Sequence, residues 1–222
     1  MKLGLIGDVH AEDERLAAAL AIFREHETDG VLFVGDVADG LGDLDRCVAL
    51  LATANALGVR GNHDRWLVED SMRSVRHAHE RRALGARALA FFEALPPTRE
   101  IQTPRGALLL CHGVGESDMV RLNPDAFGYE LETNDALAAL LTQNRFALVV
   151  GGHTHQRMVR RFHARELRLE GDASLVFVNA GTLARDAVPC CAILDFDASA
   201  VRYFELEDPE NPFASEVVPL PL

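Results

Sequence analysis

The sequence is poor in several things, and each shortage narrows what the chain can be. Its 222 residues hold four cysteines, Cys47, Cys111, Cys190 and Cys191, with no CxxC pair among them. That is too few and too irregular for a disulfide framework, so a reducing compartment is the simpler reading. No apolar run approaches the roughly 18 residues of a transmembrane helix. The N-terminus, MKLGLIGDVHAEDE, turns acidic after a short apolar stretch and lacks the length of a secretory h-region and a cleavage site. A cytoplasmic protein is expected. Basic residues are scarce as well: 22 Lys and Arg against 34 Asp and Glu leave a formal net charge of -12. Such a field repels nucleic-acid backbones and anionic membranes, so neither a nucleic acid polymer nor a membrane is an expected partner. It would also repel a small phosphorylated substrate, unless bound cations neutralise several carboxylates locally.

Repeats, low-complexity tracts and linkers are missing too. The composition is globular, 48% hydrophobic and 25% charged, and at this length roughly 70% of the unfolded chain's surface can be buried. A single domain over residues 1–222 is the expectation. Leu3 to Ile6 reads as a buried strand ending in Gly7-Asp8, and Leu16, Ala19, Leu20 and Phe23 recur at helical spacing. A second apolar strand, Gly30 to Val34, ends in Gly35-Asp36, and two strands separated by a helix make a parallel βαβ unit. The cycle repeats with a helix around Leu44 to Ala54 and a strand near Leu57 to Val59. From Arg65 to about Arg99 the composition is helical and rich in Arg and His, until Pro96-Pro97 stops it. Further strands are expected at Ala107–Leu110 and Phe146–Val150, with a polar loop and a helix over about 134–144 between them. Closely spaced strands follow at about 158–162, 166–169, 175–178, 190–195 and 201–205, where antiparallel pairing is expected. The tail from about Asp208 carries Pro209, Pro212, Pro219 and Pro221 and reads as an irregular strap.

The polar clusters at the strand ends share one chemistry. Asp8 and His10, Asp36 and Asp39, Asn62, His63 and Asp64, His112, and His153 and His155 are all oxygen or imidazole donors. In an open α/β sheet such ends converge on one crevice. Carboxylate, imidazole and amide oxygen together suit Mn, Fe, Zn or similar ions rather than Ca or Mg. Asp8, His10, Asp36, Asn62, His112, His153 and His155 are more donors than one tetrahedral ion needs, and two ions sharing a carboxylate fit better.

In order, the blocks Gly7-Asp8-Val9-His10, Gly35-Asp36-Val37-Ala38-Asp39, Gly61-Asn62-His63-Asp64, His112-Gly113 and Gly152-His153-Thr154-His155 resemble the calcineurin-like metallophosphoesterase superfamily. The likeness covers about residues 3 to 182, including Asn179-Ala180-Gly181-Thr182, which often follows the last block. It implies a four-layer α-β-β-α sandwich, two mainly mixed β-sheets flanked by helices, into which the Arg-rich helical stretch around 65–99 would be an insertion. It further implies that Asp8, His10 and His155 hold one divalent metal and Asn62, His112 and His153 a second, with Asp36 bridging. Mn is the leading expectation; Fe, Zn, Ni or Co are the alternatives. A water bridging the ions, its pKa lowered toward about 7, would attack phosphorus in line. His63 would protonate the leaving oxygen or stabilise its charge, and Asp64 would orient the His63 ring.

Other residues carry open readings. Asp39 is either a supporting partner or a turn residue, and Arg60 either a phosphate contact or a surface arginine. His26, His77, His79 and His163 match no block and read as solvated. Cys111 and Cys190-Cys191 read as packing residues. Arg65, Arg73, Arg76, Arg81, Arg82 and Arg87 form either a solvated helix face or a cap gripping a second phosphate or a ribose. The expected activity is hydrolysis of a small, nucleotide-like phosphomonoester or phosphodiester. A protein Ser/Thr phosphatase is disfavoured because the Arg of GDxVDRG is missing after Asp39 and because Asp64 replaces the Glu of GNHE. Dinucleoside tetraphosphate hydrolysis stays open, and a non-catalytic metal-binding scaffold would be expected to have lost some of these donors.

Overall fold

Alternation of side chains along the strands determines how the layers stack. In the computed structural model, which describes residues 1–221, the first sheet contains β1 (Lys2–Ile6), β2 (Gly30–Phe33) and β3 (Leu57–Gly58) in parallel. The helices α1 (Asp13–Glu25) and α2 (Leu44–Thr53) connect them. Next come α3 (Asn62–Val68) and α4 (Ala86–Ala94). The second sheet begins with β4 (Thr98–Thr103) and β5 (Gly106–Cys111), followed by α5 (Tyr129–Glu132) and α6 (Asp135–Gln143). It continues with β6 (Leu148–Gly151), β7 (Arg157–His163) and β8 (Ser174–Ala180). The chain then returns to the first sheet as β9 (Cys190–Asp195), β10 (Ala200–Glu205) and β11 (Phe213–Pro219). The strand orders are β11-β10-β9-β1-β2-β3 and β4-β5-β6-β8-β7.

Both sheets are mixed. Antiparallel β9, β10 and β11 extend the parallel trio of the first, and antiparallel β4 and β7 flank parallel β5, β6 and β8 in the second. Period-2 alternation sends Leu3, Leu5, Leu108, Leu110, Val176 and Val178 into a core between the sheets. The intervening residues point the other way, Phe33 and Ile193 onto α1, α2 and α4, and Leu109, Val149 and Phe177 onto α5 and α6. The result is the expected α-β-β-α sandwich. All four cysteines are buried and unbridged. No helix among the described residues is long and apolar enough to cross a membrane.

Three expectations of the local structure are corrected. The stretch 65–99 is not one helical insertion. Its start belongs to α3, residues 69–80 are turns, Arg81–Ala83 is a 3-10 turn, and β4 opens at Thr98. The arginines there are partly engaged in tertiary ion pairs rather than aligned along a helix. Residues 166–169 are not a strand: Ala164–Leu167 is a 3-10 turn in which Glu166 accepts the His163 N–H at 2.8 Å. The tail is not irregular, because β11 pairs with β10 along the sheet edge, with an irregularity at Tyr203/Phe204. Its prolines fall before and at the end of that edge strand, where a missing N–H is tolerated. Leu222 of the tail lies outside the described residues.

One side chain ties the sheets together through polar atoms. Tyr203 on β10 is fully buried, donates to the Asn179 carbonyl at 2.8 Å and lies 3.2 Å from the Met158 carbonyl, both in the second sheet. Tyr203→Phe should lower stability in urea unfolding by about 1 to 2 kcal/mol, because buried carbonyls lose a donor. An unchanged midpoint would show that the hydroxyl adds nothing to sheet packing.

Candidate metal centre

Five strands deliver donors to one rim at their C-terminal ends. Asp8 and His10 follow β1, Asp36 and Asp39 follow β2, Asn62 and His63 follow β3, His112 follows β5, and His153 and His155 follow β6. The chain turns sharply at each exit. His10, Asp36, Asp39, His153 and His155 all have positive φ, between 44° and 67°, a conformation Asp and His tolerate better than most residues and one concentrated at functional sites. The Asp36 carbonyl accepts the N–H groups of Val9 at 2.9 Å and His10 at 2.8 Å, locking the first two exits together. Gly61 permits the third approach, since a Cβ there would run into the Asp36 carboxylate.

The imidazoles are oriented by their outer nitrogens. His10 Nδ1 donates to the Asp39 carbonyl at 2.8 Å, and His112 Nδ1 to the Val34 carbonyl at 2.9 Å. His155 Nδ1 faces Asp186 Oδ1 at 3.2 Å. Each ring therefore turns Nε2 inward. His112 Nε2 lies 3.3 Å from Asp36 Oδ2 and 3.0 Å from the Asn62 side-chain amide, and His155 Nε2 lies 3.9 Å from Asp8 Oδ1. The Nε2 atoms of His10 and His155 stand 3.2 Å apart. With both Nδ1 atoms protonated, two lone pairs would face each other unless a positive charge lies between or beside them. His153 Nε2 is buried with no hydrogen-bond partner, while its backbone N–H donates to the Asp8 carboxylate at 3.1 Å. Three sets, Asp8 with His10 and His155, Asp36 with His112 and His153, and His10 with Asp36 and His63, bring one donor atom each to within 4.8 Å of the others.

The electrostatics describe a site short of positive charge. Burial pushes the His112 imidazole down, but Asp36 and then Asp8 outweigh it and hold it up at about 10. Burial opposes ionisation of Asp36, yet His112, His10 and His63 hold its carboxyl well below the usual range. For His153, burial and the His112 charge both disfavour the imidazolium, leaving a neutral ring suited to ligation. An orphaned buried imidazole nitrogen and opposed lone pairs beside two buried carboxylates fit divalent cations of the nitrogen-and-oxygen type.

All seven residues expected as ligands meet at this rim, and His63 joins them. The expected orienting residue is corrected. Asp64 does not touch the His63 ring: fully buried, it accepts the N–H groups of Val37, Ala38 and Gly61 at 2.8, 3.0 and 3.0 Å. Burial and the neighbouring Asp36 push its carboxyl up to about 6. Asp39 orients the ring instead, its Oδ2 lying 2.8 Å from His63 Nδ1. Arg73 forks onto Asp39 at 2.9 and 3.0 Å, and the His79 N–H donates to it at 2.9 Å. His79, expected to be solvated, is half-buried there, and Arg73 supports a carboxylate rather than gripping a substrate. Spacing alone carries no signal for that clamp, which forms across 34 residues of irregular chain. The crevice opens into a cavity of about 910 Å3 that also reaches Trp66, Arg76, His77, Met119 and Arg121. Arg60 does not line it.

The model of the calcineurin-like phosphoesterase superfamily domain matches residues 1–199. Among solved structures, the chain is similar to a metallophosphoesterase from Sphaerobacter thermophilus, with 21% identity, a TM-score of 0.68 and coverage of 93% of this chain and 89% of that one. It is similar to YfcE, a phosphoesterase from E. coli, at 17% identity and a TM-score of 0.58, covering 99% and 100% of the two chains. A zinc-complexed Vps29 from Entamoeba histolytica shares 18% identity at a TM-score of 0.56, covering 98% of each. At these identities the likeness is one of fold. No curated protein matches the chain.

The two aspartates can be told apart without any activity. Asp39→Asn should change the tautomer and shift the ring-nitrogen resonances of His63 in nitrogen NMR. Asp64→Asn should leave that ring unchanged and lower unfolding stability by about 1 to 3 kcal/mol, because the amide keeps only one of the two acceptor oxygens and turns an NH2 toward a buried backbone N–H. A His63 spectrum insensitive to Asp39→Asn would remove Asp39 from the orienting role.

Proposed function

Since the chain belongs to the calcineurin-like phosphoesterase superfamily, we propose that it hydrolyses a small phosphomonoester or phosphodiester with the help of two divalent transition-metal ions, Mn in the first place. The observation that carries this reading is the convergence of inward-facing imidazole nitrogens on buried Asp8 and Asp36, with the orphaned His153 Nε2 among them. Asp8, His10 and His155 would hold one ion and Asn62, His112 and His153 the other, with Asp36 shared. When bound, the ions supply Lewis-acid charge to the phosphoryl oxygens and lower the pKa of a coordinated water.

The remaining work falls to this chain's own side chains. In the overall reaction water gives its hydroxyl to phosphorus, and the departing oxygen takes a proton. His63 is placed to provide that proton. Burial lowers its proton affinity, but the Asp39 hydrogen bond and the Asp36 charge outweigh burial and raise it. With Nδ1–H directed to Asp39, Nε2–H is the proton left for the leaving oxygen. Trp66 lies against the ring at a centroid distance of 4.8 Å, tilted by 59°. Arg73 keeps Asp39 ionised and fixed, so the imidazole holds one orientation. Asp64 acts on the backbone beneath, drawing Val37 and Ala38 toward Gly61.

Two substitutions separate binding from chemistry. Asp36→Asn should lose metal, measured by elemental mass spectrometry, together with activity, because a neutral amide is a poor shared ligand. Full metal occupancy with normal turnover would refute the shared site. His63→Ala should keep the metal and lower kcat on unactivated esters by about 10²- to 10⁴-fold, with a smaller loss on nitrophenyl esters, whose leaving group needs little protonation. Equal losses on both ester types would mean that His63 positions or stabilises the phosphoryl group instead.

A further inference from the structure

Cation ligands and one phosphoryl group occupy only part of the cavity. Its volume, about 910 Å3, is near the top of the roughly 300–1,000 Å3 range of pockets that enclose drug-sized molecules. Beyond His63 the wall is formed by Trp66, Val75 and Met119, and Arg76, Arg121 and Arg185 also reach it. Most arginines near the site are taken: Arg65 is forked onto Asp118, Arg73 onto Asp39, and Arg185 is paired with Glu12. Arg76 and Arg121 have no carboxylate partner among the described residues, in a chain with 34 acidic and 22 basic residues. The chain segments that carry them are nevertheless tied down on either side of Arg76 and at Arg121. Arg73 donates to the carbonyls of Ser71 at 2.7 Å and His79 at 2.8 Å, bracketing Arg76, and the Asn134 side chain donates to the Arg121 carbonyl at 3.3 Å. Two exposed arginines without a carboxylate partner among the described residues thus reach the cavity that holds the metal centre.

We infer that Arg76 and Arg121 form an anion subsite which, together with Trp66, selects nucleotides carrying a second phosphoryl group. This rests on the phosphoesterase reading and names its substrate class. Guanidinium forks match phosphate oxygens and hold them with charge-assisted hydrogen bonds. The Trp66 ring offers a stacking face for a planar base. The phosphoryl group at the metal centre is the one attacked: its bond to the departing oxygen breaks, water supplies hydroxyl to phosphorus and a proton to that oxygen, and the second phosphoryl group stays intact on the arginines. A substrate with one phosphate and no ring would leave both features unused.

Trp66 is the single tryptophan of the chain, so its fluorescence reports binding apart from turnover. Mn-loaded full-length protein should show quenching on titration with adenosine 5′-(α,β-methylene)diphosphate, whose P–C–P link resists cleavage. R76Q and R121Q should each weaken that binding by about 10- to 100-fold, the range for a lost hydrogen bond to a charged group. R87Q, on an exposed arginine outside the cavity, should leave it unchanged. In turnover, the ratio of kcat/KM for adenosine diphosphate to that for p-nitrophenyl phosphate should fall about tenfold or more in both cavity variants. Quenching with no dependence on either arginine would overturn the subsite, as would equal losses on the two substrates. Arginine-dependent quenching in a wild-type protein that hydrolyses neither adenosine diphosphate, p-nitrophenyl phosphate nor bis(p-nitrophenyl) phosphate would uphold the subsite and refute the phosphoesterase reading instead.

Discussion

Two carboxylates, Asp8 and Asp36, lie out of solvent where the ends of two sheets meet, at 0% and 2% exposure, and their charge governs what surrounds them. A buried charge is sustained only by partners of opposite sign and by directed hydrogen bonds. Here the hydrogen bonds come from the His153 and His63 amides and the offsetting charge from imidazoles. Each inward nitrogen in turn depends on an outer acceptor: the Val34 carbonyl for His112, the Asp39 carbonyl for His10 and Asp186 for His155. In a chain of net charge -12, a rim so built favours cations over every other ligand class.

The fold meets this demand with its parallel strands. β1, β2 and β3 in one sheet and β5 and β6 in the other all deliver their C-terminal ends to the same rim, as a sandwich of two such sheets permits. The inter-sheet core, mostly Leu, Val and Ala side chains, holds the two sets of exits in register. Two aspartates of neighbouring blocks divide the supporting work. Asp64 gathers three backbone amides and shapes the turn after β2, whereas Asp39 gathers Arg73, His79 and His63 and shapes the edge of the cavity beside His63.

Most of the donor set was legible in the sequence because its signal is local: an apolar strand, a glycine, then Asp, Asn or His, four times over, and at His112 a strand end with the glycine after the donor. The parallel βαβ units were legible for the same reason, whereas the two-sheet sandwich came from the family resemblance. What escaped has no local signature. Asp39 and Asp64 both follow ligand blocks, and only the folded chain shows which carboxylate meets the imidazole and which meets amides. Arg73 reads like any arginine of a basic stretch until Asp39 is placed opposite it. Residues 166–169 carry a strand-like spacing overridden by the Glu166 bond to the His163 amide. At β11 the prolines suggested a break, but an edge strand accommodates them at its ends.

The centre itself is tested most directly by anomalous diffraction from crystals grown with Mn. Two peaks per chain are predicted, one among Asp8, His10 and His155 and one among Asn62, His112 and His153, both in contact with Asp36. A single peak, or peaks that leave Asp36 untouched, would contradict a centre built around a shared carboxylate.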